Sequence, residues 1–444
     1  MQARRPVNCR PSRPRAVITL VRGYDPRIVD GELDDLLSGL PAISLEGPKG
    51  VGKTATAGRR AATVFAMDDP AQRQLVRADP ERLDRAGRPV LIDEWQREPA
   101  IWDLVRRSVD DDPSPARFLL TGSASPTTAP THSGAGRIVQ LRMRPMSLAE
   151  RAISWPTVSL AEMIAGNRPE ITGSSDVTLT RYAEEIVGSG FPAIRRLPAR
   201  ARRAQLDGYL ARIVERDFPE QGHMVRRPAI LRAWLAAYAS ATATTASYSA
   251  ILDAATPGEV DKPAKTTTSA YRDVLTQLWL LDPVSGWLPS RSSFSRLAAA
   301  PKHHLADPAL ACRLLGAEVP ALLDDSVAAS GVRRPGPLLG AMFESLVTLC
   351  VRVYAQAAEA TVHHLRTADG RHEVDLIVQR ADQRVVALEV KLAPDVSDED
   401  VKHLHWLRDR LGPDLLDAAV ITTGRDAYRR ADGIAVVPAA LLGA

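Results

Sequence analysis

The residues Gly47-Pro48-Lys49-Gly50-Val51-Gly52-Lys53-Thr54 place a lysine and a hydroxyl at the end of a glycine-rich bend. This is the spacing G-x-x-x-x-G-K-[ST], whose backbone N–H groups cradle phosphates. Glycines allow the tight fold, Lys53 reaches the β- and γ-phosphates, and the Thr54 hydroxyl holds Mg²⁺. The chemistry needs a strand before the loop and a helix after it. Ala42 to Glu46 reads as that strand, and Ala-rich Thr54 to Ala66 as the helix.

A second element lies 40 residues after Lys53, where the apolar run Pro89 to Ile92 ends in Asp93-Glu94. An acid at the tip of a strand beside the loop can hold the metal, and the next acid can polarise an attacking water. Asp93 and Glu94 are the metal and general-base candidates. The run Arg117 to Ser125 predicts a third strand with Thr121 and Ser123 at its C-terminal end, where open α/β sheets bind ligands. Arg137 follows a Gly-containing loop. It is a candidate for neutralising transition-state charge, in its own subunit or a neighbour's, or else a surface arginine.

Near the C-terminus, Glu373 to Gln379 and Val385 to Lys391 read as a hairpin about Asp382. That register sets Asp375 opposite Glu389, with Lys391 on the same face. Facing carboxylates call for a cation between them, and Mg²⁺ suits oxygen donors. Lys391 would then position or deprotonate a water for attack on a phosphodiester. His363-His364 and His403/His405 lack partners at metal spacing and read as core or solvated histidines.

The chain of 444 residues calls for two to four domains, and its 45% apolar and 25% charged content is that of a soluble globular protein. No run approaches the ~18 uninterrupted apolar residues of a membrane span. Three scattered cysteines fit a reduced cytoplasm, and a net charge of +4 permits nucleic acid without arguing for it. Residues 1–22 read as a disordered basic lead. Pro, Gly, Ser and Thr enrichment from Pro145 to Arg181 marks a domain boundary. The arginines between Arg195 and Arg227 read as a solvated helix face more readily than as a phosphate-binding one. Helical spacing from Ile230 to Tyr238, Tyr248 to Ala255 and Thr266 to Leu281 is followed by two short extended runs. That is the order of a winged helix. Its third helix holds one basic residue, Arg272, beside Lys265, which favours a structural or protein-contact role over reading DNA.

The runs Leu45 to Thr54, Leu91 to Gln96, Leu119 to Ser123 and Arg144 to Glu150 resemble the prokaryotic AAA-type ATPases that carry a C-terminal domain of unknown function. The resemblance spans about Tyr24 to His405. It implies that Thr121 or Ser123 senses the γ-phosphate or orients the water. The pattern D-x13-E-x-K at Asp375, Glu389 and Lys391, with Glu344 on an upstream helix, resembles the PD-(D/E)xK nuclease superfamily over Gly336 to Arg410. The expected fold is α/β: a P-loop, AAA-like parallel-sheet domain at 23–150, a helical and winged-helix region at 151–335, and a restriction-endonuclease-like α/β domain at 336–444. The expected function is a Mg²⁺-dependent, ATP-hydrolysing switch that couples nucleotide state to its partner domains. The alternatives are an ATP-gated nuclease using Glu344, Asp375, Glu389 and Lys391, or a non-catalytic nucleotide-binding scaffold. ATP is the expected partner, DNA and a second copy are further candidates, and no membrane is expected.

Overall fold

A computed structural model describes residues 23–123, 134–223, 227–256, 265–288, 300–324 and 336–444. The basic lead, Ala124-Ser125 and the helix break at Pro257-Gly258 lie outside these residues. Five strands, β1 (Ala42–Glu46), β2 (Thr63–Ala66), β3 (Val90–Asp93), β4 (Phe118–Gly122) and β5 (Val139–Arg142), form a parallel sheet in the order β2-β3-β4-β1-β5. Runs such as Val90-Leu91-Ile92 and Phe118-Leu119-Leu120 are apolar throughout, as strands covered on both faces must be, and all six residues are buried.

Two expectations are corrected here. The helix after the loop covers only Lys53–Gly58, because Thr63, Val64 and Phe65 pair with Val90, Leu91 and Ile92 as β2 instead. Gly58 weakens the helix, and β-branched and aromatic side chains favour the strand. Asp93 also does not sit on the strand beside the loop. β4 lies between β1 and β3, and Thr121 is in register with both Leu45 and Asp93.

The middle of the chain is helical. Ala199–Arg212 runs into a π-helical turn, Ile213–Asp217, and a short turn, Phe218–Glu220. Helices Pro228–Ser240, Tyr248–Ala255 and Lys265–Gln277 follow, then antiparallel bridges Leu281↔Leu305 and Val284↔Lys302. Arg272 pairs with the adjacent Asp273 at 3.1 Å and stacks on Tyr248 at 5.2 Å. Several middle-region arginines resolve as ion pairs: Arg195 with Glu185, Arg196 with Asp25, and Arg216 with Glu220.

Residues 156–175 depart from the predicted boundary. Their strand β6 (Val158–Ser159) pairs with the last strand, and the helix Leu160–Ala165 packs on the C-terminal sheet. Composition makes this stretch look like a linker, yet its backbone groups are paired, as Thr157 N–H donating to Leu441 O at 2.9 Å shows.

After the helix Gly336–Ala357 come β7 (Thr361–Arg366), β8 (Glu373–Gln379), β9 (Val385–Val390), β10 (Leu415–Thr422), β11 (Tyr428–Arg429), β12 (Ala435–Pro438) and β13 (Leu442–Gly443). The first six form a mixed sheet in the order β11-β12-β10-β9-β8-β7. The helix Asp398–Leu411 crosses between β9 and β10, which run parallel, and a capping box from Ser397 and Asp400 starts it. Leu338–Ala357 is long and apolar enough to cross a membrane, but 67% of that window is buried against protein.

One apolar core runs through all three regions and includes Leu45, Tyr182, Trp234, Phe343 and Ile421. Tyr182 packs edge-on against Phe343 at 5.3 Å, and its hydroxyl accepts from Ala440 N–H at 3.0 Å. The parts therefore share one core, beside a second cluster within the parallel-sheet domain and a third centred on the C-terminal sheet. Phe343→Ala is expected to lower stability by about 3–5 kcal/mol in chemical denaturation. The loss should appear in one transition monitored on every region. A separate C-terminal transition would contradict a shared core.

Candidate functional site

The loop Gly47–Gly52 leaves β1 and turns over the top of the sheet. Gly47 has φ +152°, and a Cβ there would lie 2.2 Å from Met143 O, so only glycine fits. From behind, Arg27 donates to Val51 O at 2.9 Å and Arg144 O at 2.7 Å, and pairs with Glu150 at 3.0 Å. Glu150 in turn accepts from the N–H groups of Ile28 and Ser147. Arg27 carries no sequence signature, since it lies upstream of any motif. Glu150 belongs to the Arg144–Glu150 run, to which sequence reasoning gave no role.

Lys53 is buried and donates to Gly47 O at 2.8 Å and Pro48 O at 2.9 Å. Burial pushes its ammonium down to about 8, while Glu94 and Asp93 pull the other way. Thr54 Oγ1 donates to Asp93 Oδ1 at 2.7 Å, and Thr121 Oγ1 donates to the same oxygen. Burial raises Asp93 above its ordinary value, partly offset by these two hydroxyls. A hydroxyl and a carboxylate converging from the loop and from β3 are hard oxygen donors, which fits Mg²⁺.

Glu94 has φ +53°, a left-handed conformation unusual for a glutamate. Its carboxylate is held by Gln96 Nε2 at 2.5 Å and Ser123 Oγ at 2.9 Å. The backbone twist thus turns Glu94 away from Asp93 and into the cleft, and Ser123 orients it. The cleft has a volume of about 1220 Å³ and is lined by Gly50, Gly52, Lys53, Thr54, Glu94 and Ser123 among others. Tyr24, beneath the Arg59 guanidinium at 4.7 Å, also lines it.

Arg137 is not part of this constellation. Val139 is in register with Ile43, so Arg137 lies below the base of β5, whereas the loop crowns the sheet beyond Glu46. At about 3.3 Å per residue it stands roughly 16 Å along the strand from Arg142. Its guanidinium pairs with Asp110 at 2.7 Å. A role in its own subunit is therefore corrected to a surface ion pair. Lys49, at the loop's tip, reaches the middle region and pairs with Asp217 at 2.5 Å, with Tyr209 Oη donating to its carbonyl at 3.3 Å.

The C-terminal acids also converge, around a cation the sequence did not point to. Pairs from Leu376↔Leu388 to Gln379↔Val385 give the hairpin register about Asp382, and Val390 N–H donates to Asp375 at 2.9 Å. Lys302, from the middle region, pairs with Glu344 at 2.8 Å, Asp375 at 2.9 Å and Glu373 at 3.2 Å. An ammonium thus neutralises Asp375 and Glu344, two of the acids of the expected nuclease site. Among the described residues no cluster of three or more acidic, histidine or cysteine ligands is poised for a metal. Burial alone would lower Lys302; the three acids outweigh it and raise it. Burial and Asp375 push Glu344 up to about 8 and Glu389 well above its ordinary value. Burial also works against the Asp375 charge, but Lys302 outweighs it and holds Asp375 at about 2. Lys391 lies 3.6 Å from Glu389. His364 Nε2 donates to Ala300 O at 2.9 Å and His405 Nε2 to the Asp432 carboxylate at 3.0 Å, neither in a metal set.

The depressed Lys53 has a consequence for ligand binding. Phosphate favours the charged ammonium, so binding near pH 8 should take up a proton. Affinity should be flat below about pH 8 and weaken above it, by up to roughly tenfold per pH unit. Calorimetry in buffers of different ionisation enthalpy measures both, and no proton uptake near pH 8 would contradict the burial of Lys53.

Residues 40–152 match the family profile described as an AAA domain. Residues 179–321 and 339–442 match two domains of unknown function (DUF8612 and DUF4143). Uncharacterized proteins of Mycobacterium bovis and Mycobacterium tuberculosis are each 27% identical over 410 residues, covering 90% of this chain and 80% of theirs. Among solved structures, a Walker-type ATPase of Pyrococcus abyssi aligns at 14% identity over 64% of this chain and 94% of its own, with a TM-score of 0.37. The ORC2 protein of Aeropyrum pernix aligns at 15% over 67% and 95%, with a TM-score of 0.29. The loop geometry and the domain match together support an AAA-type ATPase domain at residues 40–152 that binds and hydrolyses ATP.

Proposed function

We propose that this protein is a Mg²⁺-dependent ATPase whose nucleotide state moves the tip of its phosphate loop against the helical middle region. The observation that carries the reading is the convergence of Lys53, the Thr54–Asp93 pair and the Glu94–Ser123 pair on one cleft. Thr54 and Asp93 would hold Mg²⁺, which supplies charge neutralisation at the phosphates when bound. Lys53 exchanges the carbonyls of Gly47 and Pro48 for phosphate oxygens. Glu94 accepts the proton of the attacking water, with Ser123 keeping its carboxylate aimed. Tyr24 and Arg59 are placed to border the base.

The coupling is supported by Lys49. It sits in the phosphate loop yet spends its charge on Asp217, within a π-helical turn, a feature that often marks a functional segment. Arg97, three residues after Glu94, reaches Glu220 of the next turn at 3.5 Å. Both sides of the cleft thus grip one segment, 213–220. Phosphate at the loop competes with Asp217 for Lys49. The nuclease alternative would need the acid cluster to exchange Lys302 for a metal.

Lys53→Ala is expected to abolish ATP turnover, and Glu94→Gln to reduce it by about 10²–10⁴-fold with nucleotide binding retained. Hydrolysis by Glu94→Gln at the parent rate would move the base elsewhere. For the coupling, hydrogen exchange across 213–220 should rise when a non-hydrolysable ATP analogue binds. In Lys49→Ala it should already be high and insensitive to nucleotide. If nucleotide leaves exchange there unchanged in the parent, the switch reading fails.

A further inference from the structure

The cleft at the phosphate loop is larger than one nucleotide calls for. Its volume of about 1220 Å³ exceeds the roughly 300–1,000 Å³ that encloses one drug-sized ligand. The surplus has a cause in the fold. The helix after the loop stops at Gly58 and leaves β2 partly uncovered. All four residues of β2 are half-buried, whereas Val90-Leu91-Ile92 of β3 and every residue of β4 are buried. Leu75, on the helix Pro70–Ala78, is 50% exposed at the same wall. The cleft therefore continues from the loop past Glu94 and along β2, with Thr63, Phe65, Leu75 and Ala86 lining it.

Strand order gives this extension a direction. The loop crowns β1, Asp93 and Glu94 end β3, and β2 lies beyond them in the order β2-β3-β4-β1. In-line attack places the water on the side of the γ-phosphate away from the leaving ADP. With Lys53 and Thr54 on the loop and Glu94 toward the water, that side opens along β2. The unpaired polar groups there are donors. Arg85 pairs with Asp79 at 2.5 Å and with Glu81 at 3.0 Å, but the exposed Arg82 has no acidic partner among the described residues. Gln72 spends its Oε1 on Ala66 N–H at 2.8 Å, which leaves its amide N–H groups to donate elsewhere. A guanidinium and an amide donor suit the oxygens of a phosphate.

We propose that this extension is the exit for product phosphate, with Arg82 and Gln72 forming an anion-binding station on it. The inference rests on the ATPase reading. Glu94 takes a proton from the water as the water oxygen bonds to the γ-phosphorus. The bond to the β,γ-bridging oxygen breaks, and ADP stays on the loop. Once Glu94 returns its proton to solvent, its carboxylate repels the phosphate, and Arg82 receives it away from the loop. Phosphate therefore leaves before ADP, and it can rebind at Arg82 while ADP holds the loop.

The test uses the full chain and inorganic phosphate. Calorimetry measures phosphate binding to protein loaded with ADP and Mg²⁺, and steady-state kinetics measure phosphate inhibition of ATP turnover. Phosphate should bind the ADP-loaded parent and inhibit by lowering kcat, without raising the KM for ATP. Arg82→Glu should weaken both effects by about five- to tenfold. Arg82→Lys, which keeps the charge, should recover most of that loss. Purely competitive inhibition against ATP would put phosphate on the loop and overturn the exit, as would equal inhibition of the parent and Arg82→Glu. A parent that never turns over ATP would sink the ATPase reading and the exit with it. Turnover without phosphate binding beside ADP sinks the exit alone.

Discussion

The Asp282 carboxylate sits 5% exposed between three guanidinium groups, and the arrangement of the whole chain depends on it. Arg142 and Arg144, at and beyond the end of β5, approach at 3.0 Å each, and Arg352 of the helix Gly336–Ala357 at 2.9 Å. Burial alone would raise the Asp282 carboxyl; the arginines hold it well below the usual carboxylate range. Asp282 itself belongs to the middle region, so one charge ties all three parts together. Removing one partner from such a buried set typically costs about 3–5 kcal/mol, because the remaining charges stay desolvated and unpaired.

This junction bears directly on the nucleotide cleft. Met143, between the two arginines, donates its N–H to Glu46 O at 2.7 Å, and its carbonyl is what Gly47 must be a glycine to avoid. Arg142 also stacks on Trp279 at 4.6 Å, and Gln356 donates to Arg142 O at 2.9 Å. The first residue of the phosphate loop therefore rests on a strand end clamped by the other two regions. Rigid clamping on that side, and the polar contacts of Lys49 with Asp217 and Tyr209 on the other, divide the loop into a fixed base and a tip that can change partners.

Two buried lysines show how surroundings set the use of one side chain. Lys53 donates to neutral carbonyls, so burial lowers its affinity for a proton and a phosphate would relieve it. Lys302 lies among carboxylates, which raise it, and it behaves as a counter-ion. Only the first was legible from spacing, since glycines and a following Thr define the loop pattern locally. Lys302 is 42 residues from Glu344 and 73 from Asp375 in sequence, and nothing in Lys302-His303-His304 distinguishes it from a solvated lysine. The own-subunit role of Arg137 failed for a related reason. A glycine-flanked arginine looks mobile and free, but strand direction put it at the wrong end of the sheet.

By itself the amino-acid order determined what short-range chemistry dictates: the loop's turn, the apolar strands, the acids at the tip of β3, and the alternation that puts Asp375 across from Glu389. These follow from backbone geometry and side-chain period within a few residues. Tertiary structure alone decided that β4 separates the loop strand from β3, that residues 156–175 pack against the C-terminal domain, and that Arg27, Asp282 and Lys302 are buried partners. Those outcomes depend on which distant surfaces exclude water from one another. Burial makes a charge demand a counter-charge, and sequence spacing does not record where that partner lies.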